Sequence, residues 1–256
     1  MRVLAWNMDH WKQRPNQREA AWRFLEEQRP TVALLQEVCP PERHSAAVYY
    51  EGRSARTWGW GTAVLAPGLA IDAVTSVQVG DKTLGLLGSH PGGLAVAEVD
   101  VPEVGLVTCV SMYGVPNQRW EIATVHRMLS DLSPLLYARR NSLLVMGGDL
   151  NCSTQLLTPP RGYHRNLFER IELFGLVDLL RATALDRQEL PDCPCEEEPC
   201  QHVQTYRHPR SGVPWHLDYL YATRTLAERL TACRVVEAGD SPWSLSDHRP
   251  VVADFG

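Results

Sequence analysis

Short apolar runs that each end on a polar residue constrain this chain most. Val3 to Trp6 runs into Asn7 and Asp9, and Thr31 to Leu35 delivers Glu37. Ser142 to Met146 ends in Gly147-Gly148-Asp149, and Trp215-His216-Leu217 leads to Asp218. Near the C-terminus, Ser246-Asp247-His248-Arg249-Pro250 sets an acid beside an imidazole, and a strand follows from Pro250 to Phe255. Apolar runs this short read as buried strands. Polar residues at their ends fall on loops at one rim of a packed sheet, a common place for a site.

The intervening sequence supplies helices and further strands. In Gln17 to Gln28, residues Ala21, Phe24, Leu25 and Gln28 share a face and Pro30 stops the run, which predicts a helix. Arg119 to Tyr137 and Arg165 to Phe174 read the same way, the second with Gly175 as its C-cap. Residues 58–66, 69–79, 93–101 and 104–112 are β-rich and separated by Pro, Gly and Asp, as in an antiparallel meander. His216 to Ala222 and Ala232 to Glu237 read as strands. Helices are too few and too irregularly placed for a doubly wound parallel sheet. The expected class is α/β, with two stacked sheets flanked by helices.

At 256 residues and 44% hydrophobic content, the chain can bury a sizeable core as one large domain or two small ones. No run approaches the roughly 20 apolar residues of a membrane span. The first residues turn polar too soon for a signal peptide. The formal charge of −5 argues against broad electrostatic coating of nucleic acid, though not against a local basic groove. Only Lys12 and Lys82 of the 25 basic residues are lysine. Arginine suits bidentate phosphate contacts, and codon bias is the ordinary explanation for its excess. Arg53, Arg56, Arg119, Arg161 and Arg165 are candidates for a groove or plain surface charge. The seven cysteines do not look like a secreted disulfide framework, so the expected compartment is a reducing cytoplasm.

The polar set fits phosphoester chemistry. A hard cation such as Mg²⁺ takes oxygen ligands and needs only one or two carboxylates. Glu37 suits that role, helped by Asp9 and Asp247. Asn7 and Asn151 can orient a water or a phosphate oxygen without adding charge. Asp149 is a candidate base for an attacking water. His248 with Asp218 forms a carboxylate–imidazole pair that favours the charged ring. Taken singly, each has an ordinary reading: a turn residue for Asp149, a solvated strand end for Glu37, a structural salt bridge for Asp218.

Together the residues resemble the endonuclease/exonuclease/phosphatase superfamily. The matching pieces are Trp6-Asn7-Met8-Asp9, Leu35-Gln36-Glu37, Tyr113, Gly147-Gly148-Asp149-Leu150-Asn151, Gly175-Leu176-Val177-Asp178, Trp215-His216-Leu217-Asp218-Tyr219 and Ser246-Asp247-His248-Arg249-Pro250. They span nearly the whole chain, which implies a single domain over 1–256 with a four-layered α/β-sandwich fold and divalent-metal phosphoesterase activity. The resemblance implies Glu37 as principal metal ligand, with Asn7, Asp9 and Asp247 near the metal. It also implies Asp149 aligning or deprotonating water, Asn151 supporting it, and His248 with Asp218 stabilising phosphate charge. Tyr113 looks like the phosphate-binding tyrosine of the exonuclease III and abasic-site endonuclease branch; a core aromatic is the alternative. Trp215, Leu217 and Tyr206 fall where that branch builds an apolar sugar pocket, although ordinary core packing would also place them there.

One segment lies outside that pattern. Cys193-Pro194-Cys195, Cys200 and His202 read C-x-C-x₄-C-x-H within an insertion at about 192–203. Three Cys and one His match a closed tetrahedral Zn²⁺ site of structural type. A reduced Cys-rich loop or a redox pair are the alternatives. The loop precedes Tyr206, Arg207 and Arg210, which a zinc staple could turn toward a substrate.

The leading expectation is thus a Mg²⁺- or Mn²⁺-dependent nuclease or related phosphodiesterase acting on DNA or RNA. The runner-up is a hydrolase of a small phosphoester such as a nucleotide, sugar phosphate or lipid headgroup. A binding module that has lost catalysis is a third reading, opposed by the presence of every expected polar residue.

Overall fold

The structure is a computed structural model. It describes the chain apart from residues 45–46, 52–59, 87, 91, 116–122, 156–160, 185–187, 196, 209, 211 and 238–240, and the backbone alone at 123, 161–163 and 241. Arg53, Arg56, Arg119 and the Arg161 side chain therefore lie outside the described set.

The elements run β1 (Arg2–Asn7), α1 (Pro15–Glu27), β2 (Val32–Val38), β3 (Ala47–Glu51), β4 (Gly61–Leu65), β5 (Ile71–Ala73), β6 (Ser76–Val79) and β7 (Lys82–Gly85). They continue β8 (Leu94–Val101), β9 (Gly105–Met112), α2 (Ala123–Arg139), β10 (Leu144–Asp149), α3 (Arg161–Leu173), β11 (Leu176–Asp178) and α4 (Leu179–Ala182). The last are β12 (Tyr206–Arg207), β13 (Pro214–Trp215), β14 (Asp218–Thr223), α5 (Arg224–Ala227), β15 (Leu230–Val235), α6 (Ser241–Leu245) and β16 (Val251–Phe255).

Among the described residues, two six-stranded sheets form, in the orders β15-β16-β1-β2-β4-β3 and β11-β14-β10-β9-β8-β5. Each is mixed, with one parallel pair at its centre: β1 with β2, and β9 with β10. A parallel pair needs a crossover, and α1 and α2 supply them. All four central strands consequently point the same way along their own sheets, and their C-terminal ends carry Asn7, Glu37, Tyr113 and Asp149.

Side-chain alternation along the strands divides the core into three packed zones. Val3 and Ala5 of β1 pack with Val32, Ala97, Cys109, Val145 and Leu220 between the sheets. Leu4 and Trp6 turn outward to meet Trp22, Phe24 and Leu25 of α1. On the other sheet, Val110, Leu144 and Met146 meet Met128, Leu129 and Leu132 of α2 and Ile171 of α3. The result is helix, sheet, sheet, helix, the four-layered α/β-sandwich.

Several sequence expectations shift. Helix α1 starts earlier, because Pro15 occupies its first turn, where a missing N–H costs nothing. Gly175 does end α3, with φ 81° and its N–H donating to Glu172 O. The expected meander holds only for β5, β8 and β9, which are antiparallel neighbours. Strand β4 instead joins β2 and β3 in the first sheet, and β6 with β7 makes a separate hairpin. The strand expected over His216 to Ala222 starts later, as β14 from Asp218, which pairs with β10; Pro214–Trp215 just before it form β13, which pairs with β12.

Candidate active site

The site lies at the rim where both parallel pairs end. Register alone creates its centre, because Asp149 of β10 faces Asp218 of β14 across the antiparallel ladder. Both are about 1% exposed. The loop 246–249 then closes over them from the first sheet. Ser246 Oγ donates to Asn7 O at 2.7 Å and accepts from His248 N at 3.0 Å. Trp6 Nε1 donates to His248 O at 3.0 Å.

His248 Nδ1 is 2.8 Å from Asp218 Oδ2, and its Nε2 is 3.6 Å from Asp149 Oδ2. Burial opposes charge on the ring, but Asp218 and Asp149 outweigh it and push the imidazole pKa up to about 10. The ring is thus a fixed cation between two acids. Asp149 is held at both oxygens: Asn151 N donates to Oδ1 at 2.8 Å, while the amides of Asn7 and Asn151 donate to Oδ2 at 2.9 and 3.0 Å. Burial drives its carboxyl up to about 7 against the lowering effect of His248.

Beside this pair lies a cluster of carboxylates. Glu37 is 7% exposed; its Oε1 accepts from the Tyr113 hydroxyl at 2.5 Å, and its Oε2 has no hydrogen-bond partner. Tyr113 is buried, with its ring edge-on to Trp60. Lys12 Nζ bridges Asp9 Oδ1 at 3.1 Å and Asp247 Oδ2 at 3.0 Å. Burial first, then Asp247 and Glu37, raise the Asp9 pKa to about 7 against the pull of Lys12.

The backbone is strained where these groups sit. Asp9, Glu37 and Asn151 hold φ of 50°, 48° and 48°, a region non-glycine residues seldom enter. For Glu37 the reason is visible in the ladder: the β2–β4 register slips between Leu35 and Val38. A bulge of this kind re-aims a side chain. Such strain persists where the surroundings over-determine it, and it clusters at functional sites. Gly148 serves the same region at φ 136°; a Cβ there would run into Met112 O and the Gln36 amide. That amide donates to Ser111 Oγ at 2.8 Å, and its oxygen accepts from Asp149 N at 3.3 Å, tying the two sheets beneath the site.

The structure therefore brings Asn7, Asp9, Glu37, Tyr113, Asp149, Asn151, Asp218, Asp247 and His248 to one rim. Asn7 hydrogen-bonds through its amide to Asp149 and through Oδ1 to Asp9 N, so both ends of its side chain are engaged. Tyr206 forms a bridge to His248, with ring centroids 4.7 Å apart, and pairs with Trp215 on its other side. The Arg207 guanidinium lies over the Trp243 ring, which Arg249 also covers. Leu217 is buried. Sequence reasoning gave no role to Lys12, Gln36 or Thr205. The Thr205 hydroxyl accepts from both Leu217 N and Asp218 N at 3.0 Å. Gln36 was visible inside Leu-Gln-Glu; Lys12 and Thr205 carry no local signal.

Among the described residues, two groups of His, Cys, Asp or Glu have ligand atoms all within 4.8 Å of one another: Asp149 with Asp218 and His248, and Cys193 with Cys195, Cys200 and His202. In the first group, the short Nδ1–Oδ2 hydrogen bond commits the imidazole to Asp218.

The family model described as "Endonuclease/Exonuclease/phosphatase family" matches residues 4–248. No curated protein matches the sequence as a relative. Among solved structures, the chain is similar to the endonuclease domain of TRAS1, a telomere-specific non-LTR retrotransposon, with TM-score 0.60, 18% identity, and coverage of 99% of this chain and 97% of that one. It is also similar to an AP endonuclease from Archaeoglobus fulgidus, with TM-score 0.61, 16% identity, and coverage of 100% and 99%. A 3′ phosphatase from Neisseria bound to a product DNA hairpin gives TM-score 0.61, 16% identity, and coverage of 100% and 99%. At these identities the likeness establishes the fold.

Proposed function

This chain belongs to the endonuclease/exonuclease/phosphatase family, whose members hydrolyse phosphoesters, and we propose that it is a divalent-metal-dependent nuclease or phosphodiesterase. The reading rests on one observation: Asp149 is locked by three hydrogen bonds with its Oδ2 3.6 Å from a carboxylate-backed imidazole. An in-line displacement at phosphorus needs a group that orients and deprotonates water and a charge that offsets the phosphate. Asp149 takes the first role, with Asn7 and Asn151 fixing its oxygens. His248, held by Asp218, presents Nε2 as the cationic donor to a phosphoryl oxygen.

The donor set beside it suits Mg²⁺ or Mn²⁺. Glu37 Oε2 is a buried carboxylate oxygen with no partner, and Asp9 and Asp247 add further oxygens already drawn around a cation, Lys12. Glu37, with Asp9 and Asp247, would hold the ion. The ion when bound supplies Lewis acidity and offsets phosphate charge. Tyr113 fixes Glu37 by hydrogen-bonding its other oxygen.

The substrate proposed is DNA or RNA. The solved neighbours include an AP endonuclease and a phosphatase bound to a DNA hairpin, and the Tyr206 ring lies against His248 with Trp215 as its partner across the β12–β13 ladder. The formal charge of −5 favours a second reading, a small phosphoester. No helix among the described residues is long and apolar enough to cross a membrane. None of the seven cysteines is in a disulfide, which fits a reducing compartment such as the cytoplasm. The test is a panel of single-stranded, duplex and abasic oligonucleotides beside small phosphomonoesters, each with Mg²⁺, Mn²⁺ or EDTA. Metal-dependent oligonucleotide cleavage is the expected result. Turnover of phosphomonoesters with oligonucleotides left intact selects the second reading.

A further inference from the structure

We propose that Cys193, Cys195, Cys200 and His202 bind one structural Zn²⁺ that staples the loop forming the Tyr206 wall of the site. The metal site stands by itself; only its bearing on catalysis rests on the phosphoesterase reading.

The ligand atoms cluster near zinc spacing, two of the distances matching it. Tetrahedral bonds of about 2.3 Å to sulfur and 2.0–2.1 Å to nitrogen put neighbouring sulfurs about 3.8 Å apart and sulfur about 3.6 Å from nitrogen. His202 Nδ1 is 3.7 Å from the Sγ of both Cys193 and Cys200, and all four ligand atoms lie within 4.8 Å of one another. The three thiols are free rather than bridged.

The surrounding hydrogen bonds fix the tautomer that ligation needs. Thr154 Oγ1 donates its single proton to Glu197 Oε1 at 3.0 Å, yet it also lies 2.9 Å from His202 Nε2. That second contact must then use an Nε2–H, which leaves the Nδ1 lone pair facing the sulfurs. A partner oxygen on the far nitrogen is the usual support of a metal-bound imidazole. On the sulfur side, the fully buried Gln155 donates Nε2–H toward Cys193 Sγ at 3.1 Å, which holds that sulfur in place. Four protein ligands leave no open position for water, so the role is structural.

Gln155 and Thr205 carry the consequence into the site. Gln155 Oε1 accepts from His216 N at 2.7 Å and its Nε2 also donates to Pro214 O at 2.9 Å, which anchors the zinc cluster to the strand leading to Asp218. Three residues past His202, Thr205 N donates to Trp215 O, and Thr205 O accepts from Arg249 N at 2.7 Å. Arg207 N then donates to Asp247 O at 2.9 Å, and Tyr206 lies against His248. Among the described residues from 188 to 205 there is no helix or strand. A metal cross-link is what would hold so irregular a segment in one arrangement.

The experiment uses the full-length purified protein. Elemental analysis should find one zinc per chain. Titration with a mercurial in the presence of a zinc-sensitive dye should release that zinc as three thiols are consumed. Cys193→Ser should lose it, and Cys39→Ser, at an exposed cysteine elsewhere, should keep it. Zinc below a tenth of the chain concentration, or release of none on thiol titration, overturns the site even if Cys193→Ser fails to fold. For the staple, hydrogen exchange at residues 203–207 should quicken about tenfold or more once zinc is withdrawn, because local opening then costs less. Unchanged exchange there overturns the staple. Neither readout depends on turnover, so an inactive protein with zinc bound would sink the phosphoesterase reading and leave this one standing.

Discussion

Glu37→Gln separates stability from function at the proposed metal site. The substitution keeps the shape of the side chain and the acceptor for Tyr113, and removes a buried negative charge. Glu37 Oε2 is buried with no partner; leaving a buried polar atom unpaired costs about 1–3 kcal/mol, and more when the group is charged, so the neutral amide bears the smaller penalty. The same carboxylate also repels Asp9, whose pKa it helps to raise. In EDTA, Glu37→Gln should therefore be more stable than wild type by about 1 kcal/mol, a rise in Tm of about 2–4 °C for a chain of this size. Added Mg²⁺ should reverse the advantage. A ligand that binds only the folded state contributes about 1.4 kcal/mol at ten times its Kd, and the variant should gain little of this. Lewis-acid assistance is worth several kcal/mol, so the rate should fall at least about a hundredfold. Thermal unfolding with and without Mg²⁺, followed by a rate measurement on the best substrate of the panel, provides the assay. A variant less stable than wild type in EDTA and equally stabilised by Mg²⁺ would refute the assignment of Glu37.

Two further outcomes follow from other side chains. Lys12 bridges the carboxylates that would meet the ion, so Lys12→Met should lower the Mg²⁺ concentration needed for half-maximal rate; an unchanged or higher requirement would show that the ammonium does not compete there. His164 has both ring nitrogens buried without partners, and burial, with a lesser effect of His126, pushes its pKa down to about 4. The unfolded chain takes up that proton near its ordinary value of about 6.5. Stability from this group is thus complete above that pH and declines as pH falls from there toward the folded value. Wild-type Tm should drop more between pH 7 and pH 5 than that of His164→Leu, and parallel drops would contradict it.

Much of this was legible in the chain because strand ends announce themselves. Asn7, Glu37 and Asp149 each follow a buried apolar run, and the two parallel pairs bring those runs to one rim. The facing of Asp149 and Asp218 was not legible, since it depends on the β10–β14 register, a long-range choice. Nor was the assignment of β4 to the first sheet, because alternation reports which face is buried and not which neighbour pairs. The left-handed backbone of Glu37 contradicts local preference and sits at the β2–β4 bulge, a tertiary feature. Trp22 escaped the predicted helix face, yet it is buried against His44 and His10, because α1 packs on a broader stripe than the four residues singled out.

The central claim is that the buried Asp149 and His248 act on a phosphoester. The most direct measurement is the Mg²⁺-dependent hydrolysis rate of wild type, Asp149→Asn and His248→Ala on one substrate, with circular dichroism confirming that all three are folded. A positioned proton-transfer group contributes about 10²–10⁴-fold, so each variant should lose at least a hundredfold in kcat. Folded variants that turn over at the wild-type rate would contradict the account.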